Sequence, residues 1–278
     1  MVERGKPVKK PADDSNASSA RKIKRYGWIP DLPDHRDFTY AAPRRVVESL
    51  PPSMDLRGQC PDVYVQGDLG SCTGNAIAGA LEFDMMKQGE ASETPSRLFI
   101  YYNERVMEHT VGSDAGAAIR DGIKSVAKQG ACLEGQPGDA PPAWPYVIGS
   151  FAAAPPRACY ADAKNHKSIS YQSITQNLAD MKGCVAEGYP MIFGFTVFEA
   201  FESAAVKQTG NVPMPGSNDK TIGGHAVLAV GYDDEERVFI VRNSWGPDWG
   251  DHGYCYMPYA YLLDNNYADD FWTIRSIQ

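Results

Sequence analysis

Gln66-Gly-Asp-Leu-Gly-Ser-Cys72-Thr-Gly-Asn-Ala-Ile-Ala-Gly-Ala-Leu-Glu-Phe-Asp-Met-Met-Lys87 is the stretch on which the reading of the fold turns. Small residues crowd its first half, and Ile77, Leu81 and Met85 recur at every fourth position. That spacing predicts a helix from about Ser71 to Lys87, packed closely on one side. It also puts Cys72 at a helix start, where unpaired N–H groups and the helix dipole favour a thiolate. A cysteine taken alone is more often a small buried hydrophobe, so a chemical role for Cys72 needs partners elsewhere in the chain.

Outward from this segment the patterns change character. Thr94-Pro95 reads as an N-cap and first-turn proline, opening a helix through Leu98, Tyr101, Tyr102 and Met107. Ile119, Ile123, Val126 and Ala127 predict a further amphipathic helix, closed by Gly130. Beyond the Pro-rich linker from Gly135 to Pro145, another helix is expected from about Thr175 to Gly188. Strand patterns then dominate: Met191–Phe198, His225–Tyr232, Arg237–Asn243, Gly253–Met257 and Phe271–Ile274. Helices first and strands later imply an α+β fold in two lobes, with a functional site expected in the cleft between them.

Composition excludes several alternatives. The chain has 278 residues, 43% hydrophobic and 22% charged, which is ordinary globular usage and long enough for a real core. Its longest mostly apolar run, Met191 to Phe198, is far short of the about twenty residues of a membrane span. The net charge is −8, yet residues 1–25 carry Arg4, Lys6, Lys9, Lys10, Arg21, Lys22, Lys24 and Arg25 against Glu3, Asp13 and Asp14. This basic head reads as a solvated arm, and the acidic remainder argues against a nucleic-acid face. No apolar segment follows the basic residues, so a secretory signal is not expected and cytoplasmic residence is the default. The six cysteines, at 60, 72, 132, 159, 184 and 255, form no C-x-x-C pair and no cluster with histidine, so zinc spacing is missing. With one of them as a nucleophile the other five cannot all pair, which speaks against a disulfide framework.

Two later motifs supply the partners that Cys72 needs. Gly223-Gly-His225 opens an expected strand, and Arg242-Asn-Ser-Trp-Gly246 closes the next one. With Gln66 ahead of Cys72, a Gln, Cys, His, Asn order is complete. In this order and context the sequence resembles the papain-like cysteine peptidases, from about Pro52 to Ile274, and in particular a short bacterial form of them. The resemblance implies a helical lobe and an antiparallel, barrel-like β lobe with the active site between them. It implies Cys72 as nucleophile, His225 as general base and acid, Asn243 as the residue that orients the imidazole, and Gln66 as an oxyanion donor. Trp245 would cover the His–Asn hydrogen bond, and Gly116, Ala117 and Gly224 would bind substrate backbone. No metal or organic cofactor is implied. The partner is a peptide or protein substrate, with no nucleic-acid polymer and no membrane, and a monomer is expected. A binding module on the same fold would normally lack one of these four groups. Transfer to an amine instead of water uses the same Cys-His-Asn logic and stays open at this point.

Departures from the family pattern carry their own expectations. Thr73 stands where most relatives have an aromatic residue, which leaves the wall beside Cys72 more open or filled by another group. Leu69 and Asp114 occupy the two positions where a disulfide would be expected, so both halves of that bridge are gone. Ala117 in place of a second glycine should slightly narrow the substrate ledge. Residues 1–50 are expected to form a leader and residues 51–278 the peptidase domain. Within the leader, the segment Tyr26 to Tyr40 is aromatic, apolar and held extended by Pro30 and Pro33, so it is expected to lie on the body. It either crosses the cleft or packs on a flank.

Overall fold

The structure, a computed structural model, describes residues 26–277; the basic arm of residues 1–25 lies outside the described residues. Eight strands, β1 (Thr39–Tyr40), β2 (Ser53–Asp55), β3 (Ser168–Ile174), β4 (Met191–Phe198), β5 (Thr221–Asp233), β6 (Val238–Arg242), β7 (Tyr254–Pro258) and β8 (Ala268–Ile277), form one sheet. Its order is β1-β3-β8-β4-β5-β6-β7, with β2 added to β5. All pairs are antiparallel except β1 with β3. The α-helices are α1 (Arg44–Val47), α2 (Cys72–Lys87), α3 (Arg97–Met107), α4 (Ile119–Gln129), α5 (Arg157–Asp162), α6 (Leu178–Ala186), α7 (Ala204–Thr209) and α8 (Tyr259–Leu263). No helix among the described residues is long and apolar enough to cross a membrane.

The two-lobed α+β arrangement is as the sequence implies. On one side α2 packs against α3 and α4, and on the other against β5, β8 and β4. Every residue of α2 from Cys72 to Met85 is buried, so the helix is enclosed on all faces rather than on one. The four-residue spacing of Ile77, Leu81 and Met85 marks one wall only; the small residues between them let the other wall approach equally closely.

Other boundaries shift for local reasons. The cap of α3 is Ser96, whose side chain accepts from the Phe99 N–H, and not Thr94. Pro95 instead forms a bridge with Leu133. Asn177 caps α6, accepting from the Asp180 N–H, so the helix starts after Thr175. Gly130 ends α4 with φ +81°, the left-handed region that favours glycine.

The described part of the leader takes both expected routes in succession. At Trp28 it forms a parallel bridge with Ala117 inside the cleft. Farther on, Arg120 Nε donates to Asp37 at 2.8 Å, β1 extends the sheet beside β3, and α1 rests on α6.

Burial on this scale strands acids. Glu104 in α3 accepts from Thr73 Oγ1 at 2.5 Å through Oε2, but its Oε1 has no partner among the described residues. Burial pushes this carboxyl up to about 8 and that of Asp84, in α2, up to about 7. Acids raised in the native state contribute stability that is fully present below their ordinary pKa, near 4, and lost as pH rises through 7 to 8. Thermal unfolding should therefore show a melting temperature that falls between about pH 5 and about pH 9, and Glu104→Gln should flatten part of that slope. An unaltered slope in the variant would mean that Glu104 does not titrate in this range.

Candidate active site

The N-terminus of α2 delivers Cys72 to the junction of the lobes, fully buried. Its sulfur is faced by the backbone N–H groups of Ala226, Gly27 and Thr73, which favour the thiolate. Burial outweighs them and pushes the thiol up to about 12. Ala226 is the residue after His225, so β5 brings the imidazole to the same junction. His225 is paired across the sheet with Phe195.

The protonation of His225 follows from backbone geometry. Asn243 Oδ1 accepts the Ser244 N–H at 2.8 Å, which fixes which end of the side-chain amide is the oxygen. The same oxygen lies 2.9 Å from His225 Nε2. An oxygen that can only accept requires Nε2 to carry the proton, and Nδ1 then holds the free lone pair. Nδ1 is buried with no hydrogen-bond partner. Burial drives the imidazole down to about 4, with the Asn243 hydrogen bond pulling the other way. Trp245 lies 5.1 Å from the imidazole, centroid to centroid, and is itself packed by Phe201 and Trp249. Phe195 and Tyr26 complete the enclosure edge-on, at 5.7 and 6.0 Å.

Gln66 is held at both ends of its side-chain amide. Oε1 accepts from Ser244 Oγ at 2.9 Å, and Nε2 donates to the Leu69 carbonyl at 2.6 Å, which leaves one N–H of that amide for a further acceptor. Its backbone is fixed as well: Gln66 N–H donates to Ser244 O at 2.8 Å, and Tyr146 OH donates to Gln66 O at 3.0 Å. Ser244 and Tyr146 were not singled out from the sequence. Ser244 had a signal in its place between Asn243 and Trp245; Tyr146, remote in the chain, had none.

The ledge residues are occupied by the leader. Ala117 N–H donates to Gly27 O at 2.7 Å, Ile29 N–H donates to Ala117 O at 3.0 Å, and Trp28 N–H donates to Gly224 O at 3.1 Å. Gly116 has φ +78°, and a Cβ there would overlap the Gly27 carbonyl. Ala117 does not narrow the ledge as expected, because it is fully buried and packs in a cluster with Leu69, Leu98 and Tyr101. The wall beside Cys72 is filled by the buried Thr73–Glu104 pair. His35, His109 and His252 are exposed and His166 is half-buried.

All six cysteines are free. At the position of the missing bridge, Asp114 accepts the Gly70 N–H at 3.0 Å and the Tyr101 hydroxyl at 2.6 Å through Oδ1. A charge-assisted hydrogen bond thus ties down the loop ahead of Cys72 where a covalent bond was absent.

A model of the papain family of cysteine proteases matches residues 50–262. Xylellain, a cysteine protease from Xylella fastidiosa, is 42% identical, with a TM-score of 0.83 over 93% of this chain and 98% of that one. The uncharacterized peptidase C1-like protein L477 of Acanthamoeba polyphaga mimivirus is 38% identical over 279 residues, covering 91% of this chain and 88% of the viral protein. Digestive procathepsin L 3 of Tenebrio molitor shares the fold at 17% identity, with a TM-score of 0.64 over 93% of this chain and 78% of that one.

Asp114→Ala strands the Gly70 amide and the Tyr101 hydroxyl together, and should cost about 1–3 kcal/mol in denaturant titration. Asp114→Asn, which keeps an accepting oxygen, should recover part of the loss. Equal stability of Asp114→Ala and wild type would remove the tie from the account of the loop.

Proposed function

The chain belongs to the papain family of cysteine proteases, and from that membership we propose how its own residues divide the work of peptide-bond hydrolysis. Cys72 Sγ attacks the scissile carbonyl carbon while His225 Nδ1 takes the thiol proton. The tetrahedral oxyanion is met by the Cys72 backbone N–H and the remaining N–H of Gln66 Nε2. Collapse breaks the C–N bond, with the proton on His225 passing to the leaving amine, and a thioester remains. Water, deprotonated by His225, then hydrolyses the thioester to the carboxylic acid and restores the thiol. Asn243 holds the ring with Nε2 protonated, and Trp245 keeps water from that bond. The observation that carries this reading is the double acceptance at Asn243 Oδ1, which leaves His225 Nδ1 as the free base.

Cys72→Ala should leave the fold intact and lower turnover of a peptide substrate by at least about a thousandfold. Gln66→Ala should keep thiol alkylation but slow turnover roughly a hundredfold, as loss of one oxyanion donor does. Turnover that survives in Cys72→Ala at a tenth of wild type would rule out the thiol mechanism.

The second part of the reading is that residues 1–50 form a leader to a peptidase domain of residues 51–278, and that the stretch from Tyr26 to Tyr40 restrains it. Support comes from the Gly27 and Trp28 hydrogen bonds, which use the ledge at Ala117 and Gly224. Enclosure also keeps Cys72 and His225 in their neutral forms, as thiol and imidazole, where a reactive pair needs thiolate and imidazolium. Withdrawal of the leader would rehydrate both groups. A tethered segment acts at high effective concentration, so modest docking suffices to compete with free substrate.

Docking carries its own pH dependence. Asp270 Oδ2 accepts the Trp28 Nε1–H at 2.9 Å and the Asp31 N–H at 2.8 Å, while Asp31 accepts from Trp272 Nε1 at 3.2 Å and from the Arg120 N–H at 3.3 Å. Burial and the charge of Asp270 push Asp31 up to about 7, against Arg120; burial, with help from Asp269, pushes Asp270 up to about 6. Both acids are raised in the docked state, so the docking they support is complete below their ordinary pKa near 4 and lost as pH rises through 6 to 7. Hydrogen exchange at the Trp28 and Ile29 amides should therefore quicken between about pH 5 and about pH 8 by more than the intrinsic rate, and Asp31→Asn should remove the excess. An excess that persists in the variant would assign the effect to other groups.

A further inference from the structure

Trp28 shows what the cleft accepts next to the nucleophile. Its indole is buried in a slot whose sides are bare backbone. A Cβ on Gly194 in β4 would overlap the ring, and one on Gly224 in β5 would stand 2.8 Å from it. Ala117 closes the slot through the backbone bridge to Trp28. At the far end stands Asp270, whose Oδ2 accepts the indole N–H at 2.9 Å. Gly27, one residue before Trp28, turns its N–H toward the Cys72 sulfur, so the slot lies one residue away from the reacting position.

We propose that the slot occupied by Trp28 is the selectivity pocket of the peptidase, that Asp270 reads it, and that it takes planar side chains with N–H donors at the tip, arginine first and tryptophan second. The proposal rests on the reading above, in which the leader yields this cleft to substrate.

The chemistry of the emptied slot gives the order. When the leader withdraws, Asp270 loses two donors at once, the Trp28 indole N–H and the Asp31 N–H. A partly buried carboxylate left without donors is unfavourable, and a ligand that restores them gains what an apolar ligand cannot. Asp269, the preceding residue, adds negative charge beside it. Arg120 lies on the other side, 5.6 Å from the Trp272 ring, and tempers that field. A guanidinium is flat enough for a glycine-walled slot, carries paired N–H donors that match a carboxylate, and brings the opposite charge. An indole fits the same slot with one neutral donor. A branched aliphatic side chain fills space but leaves Asp270 unpaired, and an acidic one meets Asp269 and Asp270 directly. Asp270 itself sits at φ +57°, a strained position for most residues but one that asparagine tolerates well.

The test uses the full-length protein and four irreversible peptidyl electrophiles that differ only at the residue next to the one bearing the electrophile: Arg, Trp, Leu or Glu. Intact-mass measurement gives the second-order rate of Cys72 modification for each. The rates should fall in that order, with Arg over Leu by about tenfold or more, the usual worth of a hydrogen bond to a charged group. In Asp270→Asn the Arg-to-Leu ratio should collapse by about tenfold while the Trp-to-Leu ratio changes less, because an amide oxygen still accepts from indole. A melting curve checks that the variant is folded. Equal rates for Arg and Leu, or a ratio untouched by Asp270→Asn, would overturn the proposal while leaving the peptidase reading intact. Failure of all four reagents in both the wild type and Trp28→Ala, which empties the slot, would overturn the role of Cys72 and this inference with it.

Discussion

Complete burial of the helix that carries Cys72 is the constraint from which the other features of this structure follow. A helix enclosed on every face between a helical layer and a sheet fixes its first residue at the lobe junction, but it also removes Thr73, Asn75, Glu82 and Asp84 from water. Such groups need partners, and both lobes supply them. Tyr64 and Ser92 donate to Glu82, Glu104 accepts from Thr73, and Asn75 accepts from Arg97. Arg97 in turn makes a bidentate pair with Glu134 and lies between the rings of Tyr64 and Tyr146. Tyr146 then reaches Ser71 and Gln66, the residues that flank the nucleophile loop. The polar groups buried with the helix are thus continuous with those that position the chemistry, and Asp84, without a partner for either oxygen, shows the limit of that supply.

What was legible in the sequence follows the range of the interactions involved. Cys72, His225 and Asn243 stand in short motifs at the ends of elements with clear periodicity, and the strand Met191–Phe198 appears with the expected ends. The strand Ser168–Ile174 has only a weak alternation, and the helix Arg157–Asp162 is too short to show a period at all. Thr94-Pro95 has the residue types of a helix start, but a serine two residues later makes the cap because Pro95 is engaged across the chain with Leu133. One-sided packing of the central helix was inferred from its large residues, although alanine and glycine on the opposite faces allow equally close contact. The path of the leader depends on Asp270 and Trp272, more than two hundred residues away, and nothing local announces that pairing.

The restraint proposed for the leader raises the question of why a peptide lying in the cleft of a peptidase is not itself a substrate. Hydrolysis needs a carbonyl carbon in front of the sulfur and an oxyanion donor in front of its oxygen. The leader presents the opposite polarity: the Gly27 N–H faces the Cys72 sulfur, and the Gly27 carbonyl is drawn to the Ala117 N–H. The sulfur is therefore met by a donor that weakens it as a nucleophile, with no electrophile in reach of that contact. The same enclosure that leaves Cys72 a thiol and His225 an uncharged imidazole removes the general acid a leaving amine requires. Occupation of the cleft, the orientation of the occupant and the dryness of the pair all act in one direction, so no single one of them has to be complete for the restraint to hold.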